Sequence, residues 1–237
     1  MLTAIHRKRM RDMGNQKGMT LIELMIAMAV SLIVSGAMVA VMANTLGTGS
    51  RTIGMTRLDQ EMRTAMQIMS RDLRRANYIG PLAARTCFSN VDCLADLGIA
   101  DKIGTVQVGD SDDCMSFWLD RDVSGALEDD ERGGFRLTVA NGIGTIEMLT
   151  DSNGMDASNC PTGTWVAITS PDIVDIESLV VNNADTYNIA IGGGSTYTVQ
   201  KLNLLLNARL INSGSAGNTI SRAIGDEIRV RNDFTSL

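Results

Sequence analysis

Apolar positions follow three different patterns along the chain. Residues 19–43 (MTLIELMIAMAVSLIVSGAMVAVMA) are apolar on every side of a helix, and no charged residue stands between Glu23 and Arg51. Such a helix has no face for water, so it needs lipid or other apolar helices around it. Its 25 residues at about 1.5 Å each cover roughly 37 Å, more than the ~30 Å of bilayer hydrocarbon. Beyond Leu46-Gly47-Thr48-Gly49-Ser50 the pattern changes. Leu58, Met62, Ala65, Met69, Leu73 and Ala76 recur at helical spacing, and Arg57, Asp59, Glu61, Arg63, Arg71, Asp72, Arg74 and Arg75 fill the other positions. That is an amphipathic helix with a solvated face, and Gly80-Pro81 should end it. Together the two stretches predict one long helix over residues 19–78, with room for a kink in the glycine-containing stretch.

From residue 79 the helical period disappears and short apolar runs separated by turn residues take its place. They predict strands at 106–108, 115–119, 135–139, 145–149, 165–168, 173–181, 198–211 and 227–230. The fold class expected is α+β, an antiparallel sheet domain over 79–237 resting on the second half of the helix. Gly192-Gly193-Gly194-Ser195 reads as a turn; without a following lysine and helix it is no phosphate loop.

Charge sharpens the picture at the amino terminus. Residues 1–18 carry Arg7, Lys8, Arg9, Arg11 and Lys17 against Asp12, a formal +4, which leaves −10 on the remainder of a chain whose total is −6. A basic segment ahead of an apolar span stays on the cytoplasmic side. The acidic remainder argues against a nucleic-acid partner. The chain has one histidine, His6, inside the basic segment, so a chain without that leader offers no imidazole for Ser-His-Asp or Cys-His chemistry. No hydrolase-type serine elbow is present, and catalysis is not expected. Within the apolar run, Glu23 stands out. A carboxylate at mid-span costs roughly 2.5–3.5 kcal/mol, so it calls for a partner or a function. Val41-Met42-Ala43 offers small residues to a conventional signal peptidase, but the apolar run exceeds the usual h-region, and that cut would discard Glu23.

The segment Lys17-Gly18-Met19-Thr20-Leu21-Ile22-Glu23-Leu24 resembles the leader of type IV prepilins and pseudopilins: basic residues, glycine, Thr-Leu-Ile-Glu, then an apolar helix. Met19 stands where phenylalanine is commoner. The resemblance implies that prepilin peptidase cuts after Gly18, that the new amino group of Met19 is methylated, and that Glu23 pairs with the terminal amine of a neighbouring subunit to set the register. The stretch Arg71-Asp72-Leu73-Arg74-Arg75-Ala76-Asn77-Tyr78 is similar to the end of the long helix in PilW-like minor pilins and J-type pseudopilins. The function this implies is a minor pilin of a type IV pilus, anchored in the inner membrane with its domain in the periplasm. It would then join other pilins in a fimbrium at the cell surface, at initiation of assembly or near the tip. A J-type pseudopilin of type II secretion shares the leader. A reading from another class is a membrane-anchored adhesin with a calcium-binding loop.

Two features of the globular part carry candidate chemistry. Cys87, Cys93, Cys114 and Cys160 all follow the span, and an even count in an exported domain favours two disulfides. Three pairings are open. The short spacing favours Cys87 with Cys93, leaving Cys114 with Cys160, and the absence of a C-x-x-C pair argues against zinc. In residues 120–131, Asp120, Asp122, Ser124, Ala126, Glu128 and Glu131 fall at positions 1, 3, 5, 7, 9 and 12, with Gly125 at 6. That is the spacing of a calcium loop of EF-hand type, alternate oxygens turning inward and glycine allowing the sharp bend. The flanks read as strands, so the expectation is an isolated calcium loop between strands, against the plain alternative of a solvated acidic hairpin. Asp110, Asp112 and Asp113, and Asp151-Ser152-Asn153-Gly154, read as loops.

Overall fold

The computed structural model describes residues 18–80, 102, 104, 106–109, 113–156, 159–183, 185–192, 195–211 and 219–236. Contacts divide the chain into two compact units, 1–51 and 52–237. The helix α1, Leu21–Leu73, contributes to both.

In the first unit every described side chain is exposed, including Leu21, Ile22, Met25, Ile26, Leu32, Ile33, Val39 and Val41. By length and composition this helix suffices to cross a membrane. Helical structure runs uninterrupted through Gly47 and Gly49. Glycine costs about 1 kcal/mol per position against alanine, too little to break so long a hydrogen-bond ladder. The Thr45, Thr48 and Ser50 hydroxyls bond back to the carbonyls of Val41, Asn44 and Gly47.

In the second unit the remainder of α1 buries Leu58, Met62, Ala65, Met66, Met69 and Leu73, the stripe the spacing predicts with Met66 added. Close approach begins at Gly54, where an added Cβ would lie 2.6 Å from Leu210 Cδ2. The α-helix stops at Leu73, five residues before the expected 78. Arg75, Ala76 and Tyr78 are held by tighter bonds to the third residue back, and Asn77 takes a positive φ of 63°, an orientation that asparagine tolerates and that ends helices. The Asn77 N–H then donates to the Trp118 carbonyl at 2.8 Å, and Tyr78 O accepts from Asp120 N at 2.9 Å. The chain is thus captured by a strand end before Gly80 is reached.

Eleven strands follow among the described residues, all paired antiparallel: β1 Gln107–Val108, β2 Cys114–Trp118, β3 Arg132–Ala140, β4 Ile143–Met155, β5 Pro161–Ala167, β6 Val174–Asn182, β7 Tyr187–Gly192, β8 Ser195–Val199, β9 Lys201–Leu210, β10 Ser221–Arg229 and β11 Phe234–Ser236. They form three sheets, in the orders β1-β2-β3-β4-β5, β10-β9-β6 and β11-β8-β7. A long apolar helix packed on antiparallel sheets is the α+β arrangement expected. The core joins the α1 stripe to Met115, Phe117 and Phe135 of the first sheet and to Ile176, Leu202, Leu204 and Leu206 of the second. Gly144 lets these sheets meet. Its N–H donates to buried Asp175 at 2.7 Å, and a Cβ there would lie 2.0 Å from Ile176 O.

Three expectations need correction. The single strand read over 198–211 is two strands in different sheets, parted at Gln200. That side chain is buried, and its Oε1 accepts the Val106 N–H at 3.0 Å. Residues 151–154, read as a loop, lie inside β4, where register shifts after Leu149 and Ser152 absorb the turn-forming residues as bulges. Strands β7 and β11 were not expected; β7 and β8 pair across the predicted glycine turn. Cys114 and Cys160 are joined in a disulfide bridging the start of β2 to the entry of β5. Cys87, Cys93, Asp110 and Asp112 lie outside the described residues.

Candidate functional site

Two places hold the residues singled out by sequence. The first is the start of α1. Gly18 precedes the helix with no atom within 4 Å of where a Cβ would stand, so nothing in the described fold requires glycine there. Met19 is 67% exposed. Glu23 lies in the first helical turn, its carboxylate exposed; the contact it makes is with the Thr20 hydroxyl, at the long distance of 3.5 Å. A carboxylate in the first turn complements the helix dipole, but no described cation faces Glu23.

The second place is the connection between β2 and β3, residues 120–131, closed by a 3-10 turn at Asp129–Glu131. Asp120 is fully buried. Its Oδ2 accepts the N–H groups of Gly80 at 2.7 Å and Gly125 at 2.9 Å, and its Oδ1 accepts Ser124 N–H at 3.1 Å. Glu131, also buried, accepts Arg121 N–H at 2.6 Å on Oε1 and Glu128 N–H at 3.2 Å on Oε2. The backbone follows these bonds. Gly125 takes φ 82°, and Val123 takes φ 66°, a conformation that costs a β-branched residue strain of order 1–3 kcal/mol. Gly80 is required by proximity, since a Cβ there would lie 2.9 Å from Asp120 Oδ2 and 3.0 Å from Val123 O.

Oxygens of Asp120, Asp122 and Glu131 lie within 4.8 Å of one another. The loop thus brings together positions 1, 3 and 12 of the expected calcium spacing. Glu128 stands outside that group, and the Ser124 hydroxyl accepts from Ala126 N–H at 3.2 Å. Hard oxygen donors converging around a glycine bend suit calcium rather than a softer metal. Hydrogen bonds from the Ser124 backbone hold the Asp122 carboxyl below its ordinary value. Glu128 shifts the other way: desolvation, and then the Glu131 carboxylate beside it, raise its carboxyl. Sequence spacing singled out the three carboxylates that converge. It did not locate Gly80, forty residues from Asp120, as the anchor of the loop.

Two family models match the sequence. Residues 13–39 match the prokaryotic N-terminal methylation motif, and residues 51–230 match prepilin peptidase-dependent protein B. The chain belongs to the prepilin peptidase-dependent protein B family, within the type IV pilin and pseudopilin superfamily. Membership carries dependence on prepilin peptidase and membrane anchoring through the apolar helix. A type IV-like pilin from Thermus thermophilus is similar at 13% identity and TM-score 0.37, covering 73% of this chain and 97% of that one. No curated protein matches. The acid balance of the β2–β3 loop should show in melting. Because the Glu128 value is raised on folding, its contribution to stability is present at acid pH and lost as pH rises through the raised value. Glu128→Gln in chelator at neutral pH should therefore leave the melting temperature unchanged or slightly higher; a fall of several degrees would contradict the repulsion.

Proposed function

We propose that the chain is a minor, PilW-like subunit of a type IV pilus. In this reading prepilin peptidase cuts after Gly18 at the inner membrane, Met19 is methylated, and the apolar half of α1 enters the filament core. The domain then faces the periplasm and later the cell surface, at the start of the filament or near its tip. The observation that carries this reading is Glu23, an exposed carboxylate on an otherwise apolar helix with no described cation beside it. A charge so placed gains most from an ammonium brought by a docking neighbour, because neither lipid nor packed helices solvate it. Gly18 supports the cut independently, since the described fold makes no use of its lack of a side chain.

Glu23→Ala should insert into the membrane normally, while its recovery in sheared surface filaments falls about tenfold or more. Unchanged recovery would remove the role given to Glu23. Finding the wild-type chain in a short periplasmic assembly instead of sheared pili would assign it to the J-type pseudopilins.

Within the same reading, residues 120–131 take a calcium ion, with Asp120, Asp122 and Glu131 as the converging ligands. The ion would neutralise three carboxylates and tie the β2–β3 connection to the segment after α1 through Asp120 and Gly80. Calcium at millimolar concentration should give a calorimetric binding signal and raise the melting temperature by a few degrees, and Asp122→Ala should abolish both. No heat and no rise would leave the loop an acidic hairpin held by its own amides.

A further inference from the structure

A groove of about 450 Å³ runs between the end of α1 and β10. Its wall from α1 and the turn after it is a stripe at spacings of three and four: Arg63, Gln67, Arg71 and Arg75 on one row, Met66, Ser70 and Arg74 on the next. Twelve residues separate Arg63 from Arg75, so the stripe is about 18 Å long. Ile224 and Asp226 form the opposite wall, and Arg231 stands at its end, where its N–H donates to Arg74 O at 3.1 Å. Five guanidinium groups thus surround one carboxylate, on a chain whose remainder after the leader is −10.

The internal partners do not use up this charge. Asp226 accepts the Ser70 hydroxyl at 2.7 Å and lies 3.7 Å from Arg74. Arg71 pairs with Asp72 at 3.0 Å. Arg63, Arg75 and Arg231 make no ion pair with a described residue. The helix dipole favours cations in the last turn and so accounts for Arg71. It does not account for Arg63, about two turns earlier, or for Arg231, which lies beyond β10. The arrangement suits a surface that meets anions from outside.

Elsewhere the same chain carries the complementary patch. Asp129 and Asp130, in the 3-10 turn of the β2–β3 connection, are exposed and have no described cation partner. They are not among the three carboxylates that converge in that loop. We propose that the arginine groove docks the Asp129–Asp130 turn of a second copy of this chain, with Arg63, Arg75 and Arg231 as the pairing guanidinium groups. Guanidinium forks match carboxylates in two-bond geometry, and Met66 and Ile224 add an apolar side chain to each wall for a peptide segment. A nucleic acid is disfavoured because Asp226 sits in the groove wall and the rest of the chain is strongly acidic. The two patches differ, so the contact is head-to-tail and can repeat from copy to copy. The inference goes beyond the proposed function, since leader cutting and insertion need neither patch.

The test uses the full chain in detergent, with self-association followed by sedimentation at low and high salt. Wild type should associate at low salt and dissociate as salt rises. R63E/R75E and D129K/D130K should each lose about tenfold or more in self-association. Mixed in equal amounts, they should associate as wild type does, because each reversed patch then meets its opposite. A variant that merely misfolds would not be rescued by mixing. Salt-independent association, or single variants that associate like wild type, would overturn the proposal. So would failure of the mixture to recover, or a monomeric wild type that binds a single-stranded oligonucleotide instead.

Discussion

A carboxylate four residues into an apolar run is a charge that hydrocarbon cannot solvate, and everything at the start of this chain is arranged around that fact. Glu23 has a hydroxyl at long range and the end of a helix dipole, neither of which equals a counter-ion. The residues around it present bare apolar side chains, so this part of α1 is incomplete by itself. Lipid can satisfy the apolar surface, but only a group that brings a positive charge can satisfy Glu23 as well.

The second half of α1 solves a different problem with the same secondary structure. Its apolar stripe from Leu58 to Leu73 belongs to the core of the β-rich unit. Where the helix stops, Asn77 and Tyr78 are bonded to the end of β2 and to Asp120, and Gly80 donates to the same Asp120. The acidic loop is therefore fastened to the exit of the helix and not left as a free tip. Buried Asp120 is stabilised by three amide donors, and the disulfide between Cys114 and Cys160 holds the other end of β2 to the entry of β5.

Much of this was legible because the chain uses unmixed periods. An all-apolar run, a 3.6-residue stripe and short alternating segments give the helix, its buried face and most strands. The errors fall where local chemistry and tertiary context disagree. Apolar residues alternate on odd positions up to Val199 and on even positions from Leu202; that phase shift at Gln200 is the local mark of two strands, and what fixes the break is tertiary, since buried Gln200 accepts the N–H of Val106, 94 residues away. Asp151-Ser152-Asn153-Gly154 has turn composition, yet bulges let β4 carry it. At the loop, spacing pointed to Asp120, Asp122 and Glu131 because carboxylates alternating around a glycine bend are a local pattern. The anchoring role of Gly80 was invisible because it depends on a contact between distant segments. The arginine groove was read as an ordinary solvated face, since its depth comes from β10 and not from α1.

The most direct test of the account is the intact mass of the protein isolated from membranes that contain prepilin peptidase. The account requires a chain that starts at Met19 and carries one added methyl group at its amino terminus. A product that begins after Ala43 would contradict it, and so would one that retains the leader, because neither would present an amine beside Glu23.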